Sequence, residues 1–128
     1  MPATAARPAT KASIKILYGE SDEKVLATHA AEFQKAGHQV TTGLHRQGVL
    51  EHLRKGSYDL VILGSTLSKD DRHHIPYMVK KSNDGTKVLV MHAAARHHEV
   101  DASIDADTSM HFVLEKVAKL MANQAASV

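Results

Sequence analysis

The 128-residue chain contains no cysteine, which excludes both a disulfide framework and a thiolate metal site. No apolar run approaches the roughly 20 residues needed to span a bilayer, so no membrane segment is expected. Charge of one sign is in short supply too. The formal net charge is only +2, with Lys and Arg scattered rather than striped, and this gives no footprint for nucleic acid. The opening "MPATAARPATKA" lacks a hydrophobic stretch and makes a poor signal peptide. Residues 1–12 are therefore expected to be a disordered leader, 13–122 a single domain and 123–128 a frayed tail. A cytoplasmic location fits these absences. No repeat is visible, and no linker rich in Pro, Gly or Ser divides the middle.

What is present is an alternation of short β-type and longer helix-type runs, the pattern of a parallel sheet with helices on both faces. "SIKILY" (Ser13 to Tyr18) reads as the first strand, followed by Ser21 as a helix cap with Asp22 and Glu23 in the first turn. Val25, Leu26, Ala30, Phe33 and Ala36 recur at helical spacing, and Gly37 ends the run. "HQVTT" predicts a second strand, and "GVLEHLRKG" a second helix with Val49, Leu50 and Leu53 inward. "DLVIL" is apolar throughout, as a central parallel strand buried on both faces should be. A third helix is expected to start near Pro76, because proline suits a first turn. "KVLVMH" gives a fourth strand, then a stunted fourth helix, then "ASID" as a fifth strand. A final helix, "SMHFVLEKVAKLMA", places Phe112, Val113, Val117, Leu120 and Met121 toward the core. In sheets of this type, ligands and chemistry sit at the carboxyl ends of the strands.

The stretches "KILYGESDE", "AEFQKAGHQVTT", "VLEHLRKGSYDLVILGSTLS" and "KVLVMHAA" resemble the CheY-like receiver domain of two-component response regulators. The resemblance runs from about Ile14 to Met121. It implies an α/β fold of flavodoxin-like (βα)5 topology, a three-layer sandwich with sheet order 2-1-3-4-5 and here a shortened fourth helix. Receivers take a phosphoryl group onto an aspartate at the end of the third strand, with acids after the first strand holding Mg²⁺. A hydroxyl after the fourth strand and a lysine after the fifth bind phosphoryl oxygens. On this chain the acceptor position falls on Gly64, the two acidic positions on Glu20 and Ser21, the hydroxyl position on His92 and the lysine position on Ala106, followed by Asp107. Only Glu20 keeps suitable chemistry. The resemblance thus implies a degenerate phosphorylation site made of Glu20, Ser21, Gly64, His92 and Ala106.

Each of these residues has a functional and a plainer reading. Gly64 either lets a backbone or ligand approach closely or is the relic of a lost acid, and the relic is the simpler account. Glu20 with Asp22 are weak metal candidates, yet acids at this place also complement a helix N-terminus. His92 could titrate near neutral pH, or serve as an inert hydrogen-bonded side chain. The pairs His73–His74 and His97–His98 invite a metal, but neighbouring histidines point to different sides and chelate poorly, so no metal is expected.

The expected function is a phosphorylation-independent, receiver-like signalling module that is not an enzyme, carries no cofactor and acts by binding a protein, either another signalling protein or itself as a homodimer. Its expected contact surface comprises His97, His98, Met110, His111, Leu114 and Glu115, on and beside the final helix. The alternative is a small-ligand domain of cobalamin or nucleotide type. "LGSTLS" places a Ser-x-Leu turn at Ser65–Thr66–Leu67 like that of cobalamin-binding domains, although "GESDEKVLATHA" lacks their cobalt-ligating motif.

Overall fold

A computed structural model of the chain describes residues 13–92, 99–105 and 107–126. The expected leader, the stunted fourth helix with His97 and His98, and Ala106 lie outside the described residues. The elements run β1 (Lys15–Glu20), α1 (Glu23–Lys35), β2 (Gln39–Leu44), α2 (His45–Lys55), β3 (Leu60–Leu63), α3 (Lys69–Ser82), β4 (Lys87–Val90), β5 (Ala102–Ser103) and α4 (Met110–Ala126). All strand pairs are parallel, and the sheet order is β2-β1-β3-β4-β5, as expected from the sequence.

Alternation along the strands sorts the core into two halves. Ile16 and Tyr18 of β1, Leu60 and Ile62 of β3 and Leu89 of β4 pack with Leu26, Ala30 and Phe33 of α1 and with Val113 and Val117 of α4. Leu17, Val61, Leu63, Val88 and Val90 pack on the other face with Val49 of α2 and with Ile75 and Val79 of α3. The three layers are therefore α1/α4, sheet and α2/α3. Close approach of α2 to the sheet depends on missing side chains. A Cβ on Gly43 would lie 2.8 Å from the Val49 nitrogen and 2.9 Å from its Cα. Asp101 fastens the short edge strand by accepting from the Val88 N–H at 2.8 Å and from Lys80 Nζ at 2.7 Å.

Several boundaries differ from the sequence reading. The cap of α1 is Asp22 and not Ser21, since the Asp22 carboxylate accepts from the Lys24 and Val25 N–H groups. Helix α2 begins at His45 rather than Gly48, and His45 takes a left-handed φ of 63° that turns the chain directly out of β2. Helix α3 begins at Lys69, seven residues before Pro76, because the Ser68 hydroxyl accepts from the Asp71 N–H and Asp70 and Asp71 complement the dipole. Pro76 is buried inside that helix. Ala36 is exposed rather than inward. On α4, Phe112 points out and is 58% exposed. Met110 and Leu114, read as contact residues, are half-buried and pack against the core.

Candidate functional site

Register brings two of the mapped positions face to face. Gly19 of β1 pairs with Leu63 of β3, so the next residues, Glu20 and Gly64, lie side by side at the head of the sheet. Glu20 is two residues beyond Tyr18, and Gly64 two beyond Ile62, so by strand alternation both belong to the α1/α4 face. The Gly64 N–H donates to the Gly19 carbonyl at 2.8 Å and continues the ladder one step past β3.

Glu20 is completely buried. Its carboxylate lies directly over Gly64, where a Cβ would overlap the carboxyl carbon and both oxygens. A charge this deep requires donors, and they are supplied by β1 and by the turn after β3. Oε1 accepts from the Thr66 N–H at 3.0 Å and from the Thr66 hydroxyl at 2.6 Å. Oε2 accepts a short hydrogen bond from the Tyr18 phenol. The Thr66 oxygen in turn accepts from the N–H groups of Ser21 at 2.8 Å and Asp22 at 3.0 Å. Nδ1 of His29, on α1, lies 2.9 Å from the Tyr18 oxygen and 4.0 Å from Oε2. Because the single phenol proton goes to Glu20, Nδ1–H of His29 must be the donor to Tyr18. Burial, then the hydrogen bond and negative charge of Glu20, push the Tyr18 phenol far above its ordinary range and keep it a donor.

Gly64, read either as room for a close approach or as the relic of a lost acid, lies directly under the Glu20 carboxylate. The glycine is the space that Glu20 occupies, and what approaches closely is a side chain of the same molecule. The residues here do not fit a divalent cation. Both Glu20 oxygens are taken, and Asp22 Oδ1 is engaged with the Lys24 and Val25 N–H groups. Ser21 contributes its backbone N–H, while half-buried His92 lies just beyond β4. His73 and His74 sit on α3, and no three His, Asp or Glu side chains cluster as a metal site among the described residues. On α4, His111 and Glu115 face outward and approach to 3.6 Å.

Sequence reasoning did not assign Tyr18, His29 and Thr66 to this site. A signal existed. Tyr18 and Glu20 share a face at spacing two, and a strand-end acid beside a glycine in register has room to fold inward.

Comparison with solved structures places this fold. A CheY-like receiver domain from Methanospirillum hungatei JF-1 superposes with a TM-score of 0.78 at 16% identity, covering 91% of this chain and 99% of that one. CheY4 of Vibrio cholerae gives 0.74 at 14% identity, covering 84% and 98%. TrrA of Thermotoga maritima, solved with Mg²⁺ and BeF, gives 0.72 at 19% identity, covering 83% and 97%. The chain therefore has the fold of CheY-like response-regulator receiver domains. No family model and no curated protein sequence matches it.

Proposed function

We propose that this chain is a receiver-fold signalling module that works without phosphorylation, is not an enzyme and communicates by binding protein. One observation carries the reading: the carboxylate of Glu20 fills the space above Gly64 that an acceptor side chain would need. In phosphorylatable relatives a negative group added at this place biases an equilibrium between surface states. Here a negative group is built in and held by Thr66 and Tyr18, so one state is favoured for as long as Glu20 is ionised.

The contact face we assign is the outer side of α4, with exposed His111, Phe112 and Glu115; of the residues read from sequence, Met110 and Leu114 support it from beneath. A half-exposed aromatic on a charged helix suits a protein partner, including a second copy, since two-fold homodimers are the commonest oligomers. No helix among the described residues is long and apolar enough to cross a membrane, and a cytoplasmic setting is part of this proposal. The cobalamin-type alternative gains nothing from the geometry. The Thr66 hydroxyl is bound to Glu20, Leu67 is buried, and His29 in the first loop-helix segment turns to Tyr18.

The test is incubation with acetyl phosphate and Mg²⁺ followed by intact-mass measurement. A working acceptor gains about 80 Da, the mass of a phosphoryl group. The expected gain is zero for the wild type and also for Gly64→Asp, whose new carboxylate must compete with Glu20 for the same space. A stoichiometric gain on the wild type would refute the proposal.

A further inference from the structure

A buried carboxylate ordinarily exchanges protons with solvent only when its surroundings open. Glu20 has another route. From Oε2 the hydrogen-bond chain passes through the Tyr18 hydroxyl to Nδ1 of His29, and the His29 side chain is 28% exposed. We infer that His29, Tyr18 and Glu20 form a proton inlet through which external pH sets the charge of the crevice and the grip of Glu20 on Thr66. The inference rests on the phosphorylation-independent reading above and supplies the signal that a phosphoryl group would otherwise bring.

The proton count is simple. With Glu20 ionised, Nδ1–H of His29 donates to Tyr18 and Tyr18 donates to Oε2. A solvent proton taken up at Nε2 of His29 allows the Nδ1 proton to pass to the Tyr18 oxygen while the phenol proton passes to Oε2. His29 is then neutral with its hydrogen on Nε2, Tyr18 is still a phenol, and Glu20 is a carboxylic acid. No group leaves its place. What changes is the strength of the hold. Hydrogen bonds from Thr66 to a carboxylate are about twice as strong as those to a neutral carboxyl oxygen. Thr66 also carries the Ser21 and Asp22 N–H groups, so the change is felt both in the β1–α1 turn and in the turn after β3.

Other titratable groups lie on the neighbouring elements. Neither β2 nor β3 contributes a titratable side chain. Exposed His111, Glu115, Lys116 and Lys119 belong to α4. Half-buried Glu32 lies three residues beyond His29 on α1, Asp22 is bound to its helix cap, half-buried His92 follows β4, and Asp105 and Asp107 are exposed after β5. His29 and Tyr18 connect Glu20 toward solvent through contacts of hydrogen-bond length or shorter.

The experiment follows the backbone amides of Thr66, Ser21 and Asp22 and the Glu20 carboxyl carbon by NMR on the isotope-labelled full chain between about pH 5 and 8, where imidazoles take up protons. In the wild type, the Thr66 amide and the Glu20 carboxyl carbon are expected to shift together with the His29 ring. In His29→Gln, which keeps a side-chain N–H donor but cannot titrate, that shared transition is lost. In Tyr18→Phe, which removes the bridging hydroxyl, the Glu20 carbon is expected no longer to follow the His29 ring, which separates coupling through the hydrogen-bond chain from a plain field effect. A Glu20 carbon that stays flat in the wild type, or that follows the same transition in His29→Gln, overturns the inference. Failure here with no mass gain from acetyl phosphate leaves the proposed function standing. A mass gain removes both.

Discussion

A methyl group added at Gly64 would have to share its space with a buried carboxylate held by three donors. Something must move, and the crowded group is not the free end of a flexible surface chain. Overpacking and the loss of one or more buried hydrogen bonds together predict that Gly64→Ala costs about 2–4 kcal/mol. Urea denaturation measures this directly. Glu20→Ala alone is also destabilising, because it leaves Tyr18 and Thr66 without their acceptor. Combined with Gly64→Ala it should cost less than the sum of the two, since the methyl then enters a vacated site. Strict additivity would mean that the two positions do not meet.

At the scale of single elements, the start of α1 offers a clean comparison. The Asp22 side chain accepts from two free N–H groups, whereas Ser21 uses only its backbone. Asp22→Ala is predicted to lower stability by about 1 kcal/mol and Ser21→Ala to leave it nearly unchanged, as read by thermal unfolding. The same helix shows what the sequence could and could not convey. Apolar spacing located Leu26, Ala30 and Phe33, because burial repeats with the helical turn. The cap was displaced by one residue, because Ser21 and Asp22 are both good caps and only the path of the chain out of β1 chooses between them. Helix α3 was shortened for a similar reason. Pro76 carries a strong local start signal, yet the helix around it is set by the Ser68 cap and by Ile75 and Val79 packing on the sheet. On α4, an apolar count assigned Phe112 to the core, but Val113 and Val117 already fill that stripe and leave Phe112 outside. Strand order was legible because the buried β3 run and the alternation of elements admit few arrangements. The filled crevice was not, because it depends on cross-strand register between residues 44 positions apart.

Over the whole molecule, half-buried His38 and buried Tyr18 bound the pH range of stability. His38 accepts from the Ile14 N–H at 3.4 Å through Nδ1, and burial lowers its pKa from the ordinary 6.5. Between the lowered value and 6.5 the unfolded chain binds the extra proton, so stability falls as pH drops below 6.5. Tyr18 acts at the other limit. Its pKa is raised above the ordinary 10.0, so above that pH the unfolded chain releases a proton that the native state retains. Its contribution is complete below 10.0 and is lost as pH rises, at up to about 1.4 kcal/mol per pH unit. Urea midpoints are expected to fall on both sides of this window, with His38→Gln flattening the acid limb. In a Tyr58→Phe, Tyr77→Phe background, Tyr18 is the remaining tyrosine, and its ultraviolet ionisation signal should rise only together with unfolding.

The arrangement over Gly64 also constrains what substitution can achieve there. An aspartate placed at Gly64 arrives in an occupied seat, and shortening Glu20 first strands the donors of Tyr18 and Thr66, so each stepwise route to an acid at this position passes through a weakened intermediate.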